Sequence, residues 1–215
     1  MSLHSTELKF CSKCVCDGSM EELVLDENGV CNFCHQAQKS LKEIEIEKPK
    51  LSDKIEQIKK TGKDYDVLIG LSGGVDSSFL LLKAIYLGLR PLCFSIDNGW
   101  NSPVADENIM RLVEGLKVPF YRYTIDIPKF RRLQAAFIKA GVINIEIPTD
   151  HILMSTSYEL ANLYGIKYIL SGGNVATESI MPPSWGYNAR DLKHIKAVYK
   201  WFTGRELTGL PLCGL

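Results

Sequence analysis

The chain lacks an excess of either charge and lacks a long apolar run. Lysines plus arginines number 25, aspartates plus glutamates also number 25, and the formal net charge is zero. A balanced charge argues against a general nucleic-acid coat protein, although it leaves room for a local basic groove. No apolar run approaches about 18 residues, so no transmembrane helix is predicted. The first residues also lack the apolar stretch of a signal peptide, and we therefore expect a cytoplasmic protein.

The composition predicts a folded chain with one substantial domain and a small appendage. Apolar residues make up 46% of the 215 positions and charged residues 23%, which excludes wholesale disorder. Domains average about 150 residues, so the length leaves room for one such domain and little more. No internal repeat and no low-complexity segment is present.

A glycine-rich turn without a lysine is the clearest local motif. Leu71-Ser-Gly-Gly-Val-Asp-Ser-Ser78 follows a short apolar run and precedes the helical stretch Phe79–Leu87. Glycines let a backbone approach an anion closely, and the N–H groups at a helix start attract it. The hydroxyls of Ser72, Ser77 and Ser78 add donors. A Walker loop needs a lysine that reaches the terminal phosphates, so this turn predicts a different anion site. An ordinary packing turn is the alternative.

The turn resembles the phosphate-binding loop of the PP-loop ATP pyrophosphatases. Ser72-Gly-Gly-Val-Asp-Ser77 is similar to their Ser-Gly-Gly-x-Asp-Ser signature. The resemblance implies that the chain binds ATP, splits it between the α- and β-phosphates, adenylates a substrate oxygen and releases pyrophosphate. The loop residues implied to contact ATP or pyrophosphate are Ser72, Gly73, Gly74, Asp76, Ser77 and Ser78.

Cysteines are plentiful, and four of the seven form two Cys-x-x-Cys pairs separated by sixteen residues. This spacing predicts a zinc ribbon, because each pair grips one edge of a metal tetrahedron. A redox or disulfide role is the alternative, and it is less expected in a cytosolic chain. Cys16 and His35 lie beside the pairs with poorer spacing. The predicted zinc ligands are Cys11, Cys14, Cys31 and Cys34.

Strands and helices alternate after residue 64, which predicts an α/β fold with a doubly wound parallel sheet. We expect three regions: a zinc ribbon at 1–37, a charged helical connector at 38–63 and the α/β domain at 64–215. The first helix of the domain is apolar on nearly all sides, so we expect it to be buried. The predicted strands are Val67–Leu71, Pro91–Ile96, Phe120–Ile125 and Lys167–Leu170, and the predicted helices are Asp76–Leu87, Val104–Leu116, Pro128–Ala140, His151–Tyr164 and Ala189–Trp201.

Two further segments follow predicted strands, at the sheet edge where such folds bind ligands. Asp97 ends the second strand and either meets the nucleotide or makes a plain Asn-Gly turn. Ser171-Gly-Gly-Asn174 is a second glycine turn, with a packing turn as the alternative. We expect its Gly172, Gly173 and Asn174 to close over the nucleotide.

Two carboxylates and one histidine are candidates for catalysis. Asp76, at the mouth of the loop, suits Mg²⁺, although the same residue type also caps helices. Glu178 is a candidate magnesium or substrate carboxylate. His151 begins a predicted helix that Thr149 or Asp150 can cap, and a structural role is the alternative for this imidazole.

Seven blocks of the sequence, taken in order, narrow the resemblance. They are Cys11-Ser-Lys-Cys-Val15, Asp26-Glu-Asn-Gly-Val-Cys-Asn-Phe-Cys34, Ser72–Ser77, Pro148-Thr-Asp-His151, Ser171-Gly-Gly-Asn-Val-Ala-Thr-Glu178, Ser184-Trp-Gly-Tyr-Asn188 and Ile195-Lys-Ala197. Together they resemble the N-acetyl sugar amidotransferases of bacterial surface-polysaccharide pathways, including lipopolysaccharide O-antigen and nonulosonate synthesis. Members of that family are longer, so the resemblance implies a chain truncated at its C-terminus.

The resemblance implies an ATP-dependent enzyme that converts the N-acetyl group of a nucleotide sugar into an acetamidino group. It also implies Mg²⁺, a structural Zn²⁺, and glutaminase and synthase-like partners that supply ammonia. Two alternatives stay open. A tRNA-thiolating PP-loop enzyme needs a reactive cysteine and a basic RNA surface, and the net charge gives no support to nucleic acid as a partner. The other alternative is a nucleotide-binding scaffold.

Overall fold

The computed structural model describes residues 8–174, 182 and 188–214. The chain divides into two compact units, Met1–Leu51 with Gly173–Gly186, and Ser52–Gly172 with Tyr187–Leu215. The three regions expected from the sequence, with boundaries near residues 37 and 63, stay a prediction.

The first unit contains the cysteine pairs and a long charged helix. Antiparallel bridges join Phe10 to Asp17 and Leu25 to Cys31. Helix α1 (Asn32–Glu47) begins directly after Cys31, whose Sγ accepts a hydrogen bond from a first-turn N–H. Part of the expected connector is therefore a continuation of the helix that carries the last cysteine. A 3₁₀ turn (Lys48–Lys50) follows, because its proline lacks the N–H that would continue the helix.

The second unit is built on a four-stranded sheet in the order β3-β2-β1-β4, and every neighbouring pair is parallel. The predicted α/β fold with a parallel sheet is confirmed. The strands are β1 (Val67–Gly70), β2 (Pro91–Asp97), β3 (Phe120–Thr124) and β4 (Ile169–Leu170), and the helices are α2 (Leu51–Thr61), α3 (Val75–Tyr86), α4 (Pro103–Leu116), α5 (Ile127–Ala140), α6 (Ile147–Leu163) and α7 (Leu192–Thr203).

Both faces of the sheet are covered. Along β1, Val67 and Ile69 pack into one core with residues of α2, α3 and α4, whereas Leu68 packs into another with residues of α6. Successive side chains of a strand point to opposite faces, so β1 contributes to both cores. A third core joins α5, α6 and α7. Within the ranges given above, no helix is both long and apolar enough to span a bilayer.

Three helix predictions need correction. The last helix, α7, begins at Leu192 and not at Ala189, because Asp191 caps it by accepting the His194 N–H. Helix α6 begins at Ile147, one turn before His151, with Glu146 as N-cap and no side-chain cap. Pro148 explains the earlier start, since proline favours the first turn of a helix. The expected burial of α3 is wrong for half of its surface, because a helix on a sheet buries only one stripe. Its exposed apolar residues are Val75, Phe79, Leu82 and Tyr86.

A buried ion pair fixes the chain at the entry to the sheet. Asp66, just before β1, is 2% exposed. Its Oδ1 accepts from the Arg90 Nη2 at 2.7 Å, and its Oδ2 accepts from the Arg90 backbone N–H at 2.8 Å. The same guanidinium donates to the carbonyls of Gly62 and Lys63. These bonds tie the segment before β1 to the start of β2.

Candidate functional site

The glycine turn lies between β1 and α3 and packs against the first turn of α4. Gly73 has φ +76°, and a Cβ atom there would lie 2.5 Å from the carbonyl oxygen of Ala105. Only glycine meets both conditions, because other residues rarely adopt this φ and have no space here. The Asn108 amide donates to the Gly73 carbonyl at 3.3 Å. Helix α4 therefore holds the turn from outside.

The serines of the turn bind the turn itself. Ser77 Oγ donates to the Gly74 carbonyl at 3.3 Å, and Ser78 Oγ donates to the same carbonyl at 2.8 Å. Ser72 Oγ accepts from the Gly74 N–H at 3.3 Å and lies 3.2 Å from Ser77 Oγ. We expected all three hydroxyls to serve as anion donors. In the structure they bond within the loop, and the N–H groups of Ser72 and Gly74 donate to two of them. Their contact with an anion stays a prediction, and the free N–H groups at the start of α3 are further donors.

The N-terminus of α3 is available to an anion. Gly74 is its N-cap, with φ −88° and ψ 170°, and no side chain caps the helix. The first N–H groups of a helix have no intrahelical acceptor and lie at the positive end of its dipole. Asp76 is exposed in this first turn. Its carboxylate is the hard oxygen ligand that Mg²⁺ prefers, so the residues present fit a magnesium ion bound between Asp76 and a phosphate.

One residue of the second glycine turn, Gly172, lies against the first turn of α3. A Cβ atom on Gly172 would lie 3.4 Å from both the Asp76 carbonyl carbon and the Ser77 nitrogen. Gly172 therefore lies beside the start of α3. The prediction that it closes over the nucleotide stays a prediction. Gly173 and Asn174 fall in the other compact unit. Glu178 lies outside the described residues, as does most of the block 184–188.

Two hollows border the loop. One, of about 180 Å³, is lined by Leu71 and Ser72 together with residues after β2 and on α5 and α6. The other, of about 490 Å³, places Gly73 and Gly74 beside Asn108 and Arg111 of α4. Asn108 and Arg111 were not predicted from the sequence. Their spacing of three residues, which places them on one helix face, was the available signal.

The Asp97 side chain stabilises a turn at Asn98-Gly99. For this residue the sequence left two roles open, nucleotide contact and a plain turn. Its Oδ1 accepts the Gly99 N–H at 3.2 Å, and Gly99 has φ +81°. A short acidic side chain bonded to the backbone two residues ahead is an Asx turn. Its neighbours Ile96 and Asn98 line the 180 Å³ hollow instead.

His151 is fully buried in the second unit. The residue is 0% exposed, and its Nδ1 atom lies 2.6 Å from the carbonyl oxygen of Ala189. A carbonyl only accepts, so Nδ1 carries the proton in this bond. Among the described residues, Nε2 has no hydrogen-bond partner. This arrangement favours the structural role named as the alternative to catalysis.

The four predicted zinc ligands lie together in the first unit. Their sulfur atoms are all within 4.8 Å of one another. The Cys11 and Cys34 sulfurs are 3.9 Å apart, and the Cys14 and Cys31 sulfurs are 3.6 Å apart. Tetrahedral zinc with Zn–S bonds of about 2.3 Å requires sulfurs about 3.8 Å apart. The cluster therefore has the donor set and spacing of a structural zinc site.

Backbone donors lower the pKa of one of the four thiols, Cys11, whereas burial raises the pKa of Cys31 and Cys34. Burial works to raise the pKa of the Cys11 thiol, but N–H donors, including those of Lys13 and Cys31, outweigh it and lower the pKa to about 6. A thiolate is the form that binds zinc. Cys16 lies in the same small core but outside the four-sulfur group, and burial raises its pKa to about 12.

Comparisons with known proteins give distant similarities. No family model matches the chain. Uncharacterized protein MJ1599 of Methanocaldococcus jannaschii is 25% identical over 168 residues, which cover 75% of this chain and 58% of that protein. The chain thus spans less than two thirds of the length of this curated relative.

Two solved structures are similar at low identity. An NH3-dependent NAD synthetase from Campylobacter jejuni, in complex with nitrate, is 20% identical with a TM-score of 0.48, covering 72% of this chain and 71% of that one. An NMN synthetase from Francisella tularensis is 16% identical with a TM-score of 0.45, covering 82% and 88%. Similarities at these values assign no activity to this chain.

Proposed function

We propose that the chain binds ATP at the Ser72–Ser78 loop and cleaves it between the α- and β-phosphates to adenylate a substrate oxygen. One observation carries the proposal: β1 turns through Gly73, at φ +76°, directly into α3, whose N-terminus no side chain caps. Backbone N–H groups at such a terminus bind pyrophosphate oxygens. The turn has no lysine to reach a terminal phosphate, which favours pyrophosphate as the leaving group.

The residues take distinct roles in this proposal. The loop N–H groups stabilise the charge that develops on pyrophosphate, an electrostatic contribution. Asp76 would hold Mg²⁺, which neutralises phosphate charge. Arg111 adds a cation beside the loop, and the hollow lined by Leu71 and Ile96 accepts the nucleoside.

For the substrate, we propose an N-acetylated sugar or nucleotide sugar, following the resemblance of the ordered blocks. The amide oxygen attacks the α-phosphorus of ATP, an O–P bond forms, and the α–β bridging bond breaks to release pyrophosphate. Ammonia then forms a C–N bond at the imidate carbon, and AMP leaves with the oxygen. The acetamidino product needs no covalent enzyme intermediate. Glutaminase and synthase-like partners would supply the ammonia, and cytoplasmic pathways of surface polysaccharides would use the product.

The test is exchange of labelled pyrophosphate into ATP, measured with and without N-acetylated nucleotide sugars. Because this chain spans 58% of its relative MJ1599, the assay is run on both this chain and MJ1599. We expect sugar-dependent exchange, and we expect Gly73→Ala to abolish it. No sugar-dependent exchange by this chain would overturn the proposal.

Cys93 does not suit the thiolation alternative. Cys93, in the middle of β2, is 0% exposed, and burial raises its pKa to about 12. A reactive cysteine needs an exposed, electropositive setting. In the same exchange assay, stimulation by tRNA in place of sugar would favour the thiolation alternative, and ATP binding without any exchange would favour a scaffold.

A further inference from the structure

An exposed tryptophan after β2 is held in a fixed orientation by hydrogen bonds. Trp100 follows β2 and is 69% exposed. Its indole Nε1 donates to Gln134 Oε1 at 2.8 Å, and its backbone N–H donates to Asn98 Oδ1 at 3.1 Å. Large aromatic side chains dominate burial at interfaces and ligand sites. A tryptophan that is both exposed and anchored at two points therefore points to a ligand.

Trp100 forms one wall of a pocket of about 370 Å³. Ile138 and Ile145 give the pocket further apolar surface, although both side chains are exposed to solvent. Glu146 and Asn98 supply polar groups. A mostly apolar pocket with a few placed polar groups is the usual form of a small-molecule site. Its single carboxylate favours hydroxyl donors and disfavours a phosphate.

This pocket shares residues with the hollow beside the glycine loop. Asn98 and Thr149 line both spaces, and Ser72 lines the second one. The Thr149 Oγ1 atom is buried and has no hydrogen-bond partner among the described residues. Buried hydroxyls are nearly always hydrogen-bonded, so this unpaired hydroxyl is open to a ligand group once a rotation of the Thr149 side chain turns it into the junction of the two pockets.

We propose that the Trp100 pocket is the acceptor site and binds the ring of an N-acetylated amino sugar. The apolar face of the ring stacks on the indole, ring hydroxyls donate to Glu146, and the acetamido group bonds to the Thr149 hydroxyl at the junction. This placement directs the acetamido group toward the loop. The assignment rests on the proposed function for the reaction that follows, while sugar binding itself is measurable alone.

The experiment measures binding of free N-acetylglucosamine, N-acetylgalactosamine and N-acetylmannosamine by calorimetry and ligand-observed NMR, with glucose as the probe lacking the acetamido group. We expect Trp100→Ala to weaken binding of the best N-acetyl sugar at least tenfold, and Trp100→Phe to weaken it less. Trp201→Phe, at a tryptophan that is 84% exposed on α7, is the matched control and should change nothing.

A second variant tests the junction. Thr149→Val keeps the shape and removes the unpaired hydroxyl, so we expect an equal or higher melting temperature together with a lost preference for N-acetyl sugars over glucose. A purely structural hydroxyl would show lower thermal stability and unchanged preference, which would overturn its assigned role.

The outcomes separate this inference from the proposed function. No binding of any of the sugars by the unaltered chain, or equal affinity in Trp100→Ala, would overturn the acceptor site. A loss of ATP affinity in Trp100→Ala would overturn it too, because the pocket would then hold the nucleotide. Sugar binding that depends on Trp100, with no pyrophosphate exchange by the same chain, would overturn the adenylation reaction and support the site.

Discussion

At Gly73 a positive φ and a close neighbour coincide. We predict that Gly73→Ala lowers the free energy of unfolding by about 1–3 kcal/mol, because the residue is strained and its Cβ meets the Ala105 backbone. The loop has to move to relieve this strain and the clash with Ala105, so ATP affinity should fall at least tenfold. Urea unfolding and calorimetric ATP titration measure the two effects.

Gly115 in α4 is the matched control for this substitution. A Cβ atom there would have nothing within 4 Å. Alanine in a helix interior is favoured over glycine by about 0.5–1 kcal/mol, so Gly115→Ala should stabilise the chain and leave ATP affinity unchanged. Equal ATP affinity in both variants would show that the turn at Gly73 does not hold the nucleotide.

Among elements, the Asp66–Arg90 pair joins the entries to β1 and β2. Burial works to raise the pKa of Asp66, but the Arg90 guanidinium and backbone N–H outweigh it and lower the pKa below its usual range. We predict that Asp66→Asn lowers the free energy of unfolding by about 2 kcal/mol at pH 7. The amide has an NH₂ group in place of one carboxylate oxygen, and this donor would face the N–H donors of Arg90.

The pH dependence of this pair has a definite sign. The unfolded carboxyl binds its proton at a higher pH than the folded one, so the contribution of Asp66 is complete above about pH 4 and is lost as the pH falls through the lower folded pKa. The stability difference between the unaltered chain and Asp66→Asn should shrink over that range in urea titrations. Glu107→Gln, at an exposed pair with Arg111, should leave the urea midpoint unchanged at pH 7.

The elements themselves were largely predictable from local pattern. Apolar runs and caps predicted β1 and α4 to within a residue, because their signals are local. The start of α6 and the burial of α3 were not predicted correctly. The first depended on where Pro148 sits in its turn, and the second depended on how much of a helix the sheet covers.

For the whole molecule, the alternation of elements predicted the parallel sheet, but not which side chains meet around the loop. Asn108 reaches Gly73 because β2, which precedes α4, lies beside β1 in the sheet. The order of strands in a sheet depends on tertiary packing, and the local sequence pattern does not specify it. The pocket at Trp100 likewise joins residues distant in sequence, including Gln134 and Thr149. The cysteine cluster needed no such knowledge, since metal coordination fixes its spacing in the sequence.

That cluster yields a prediction about the division of the chain into two units. We expect one zinc ion per chain, measured by mass spectrometry of the metal, and we expect Cys31→Ala to lose it. The small core of the first unit contains the four thiols, so metal loss should unfold that unit. The loop and its hollows lie wholly in the second unit, so ATP affinity should persist.

Cys16→Ala, at an equally buried cysteine outside the cluster, should keep its zinc. Zinc loss in Cys16→Ala, or retention in Cys31→Ala, would contradict the assignment of the four ligands.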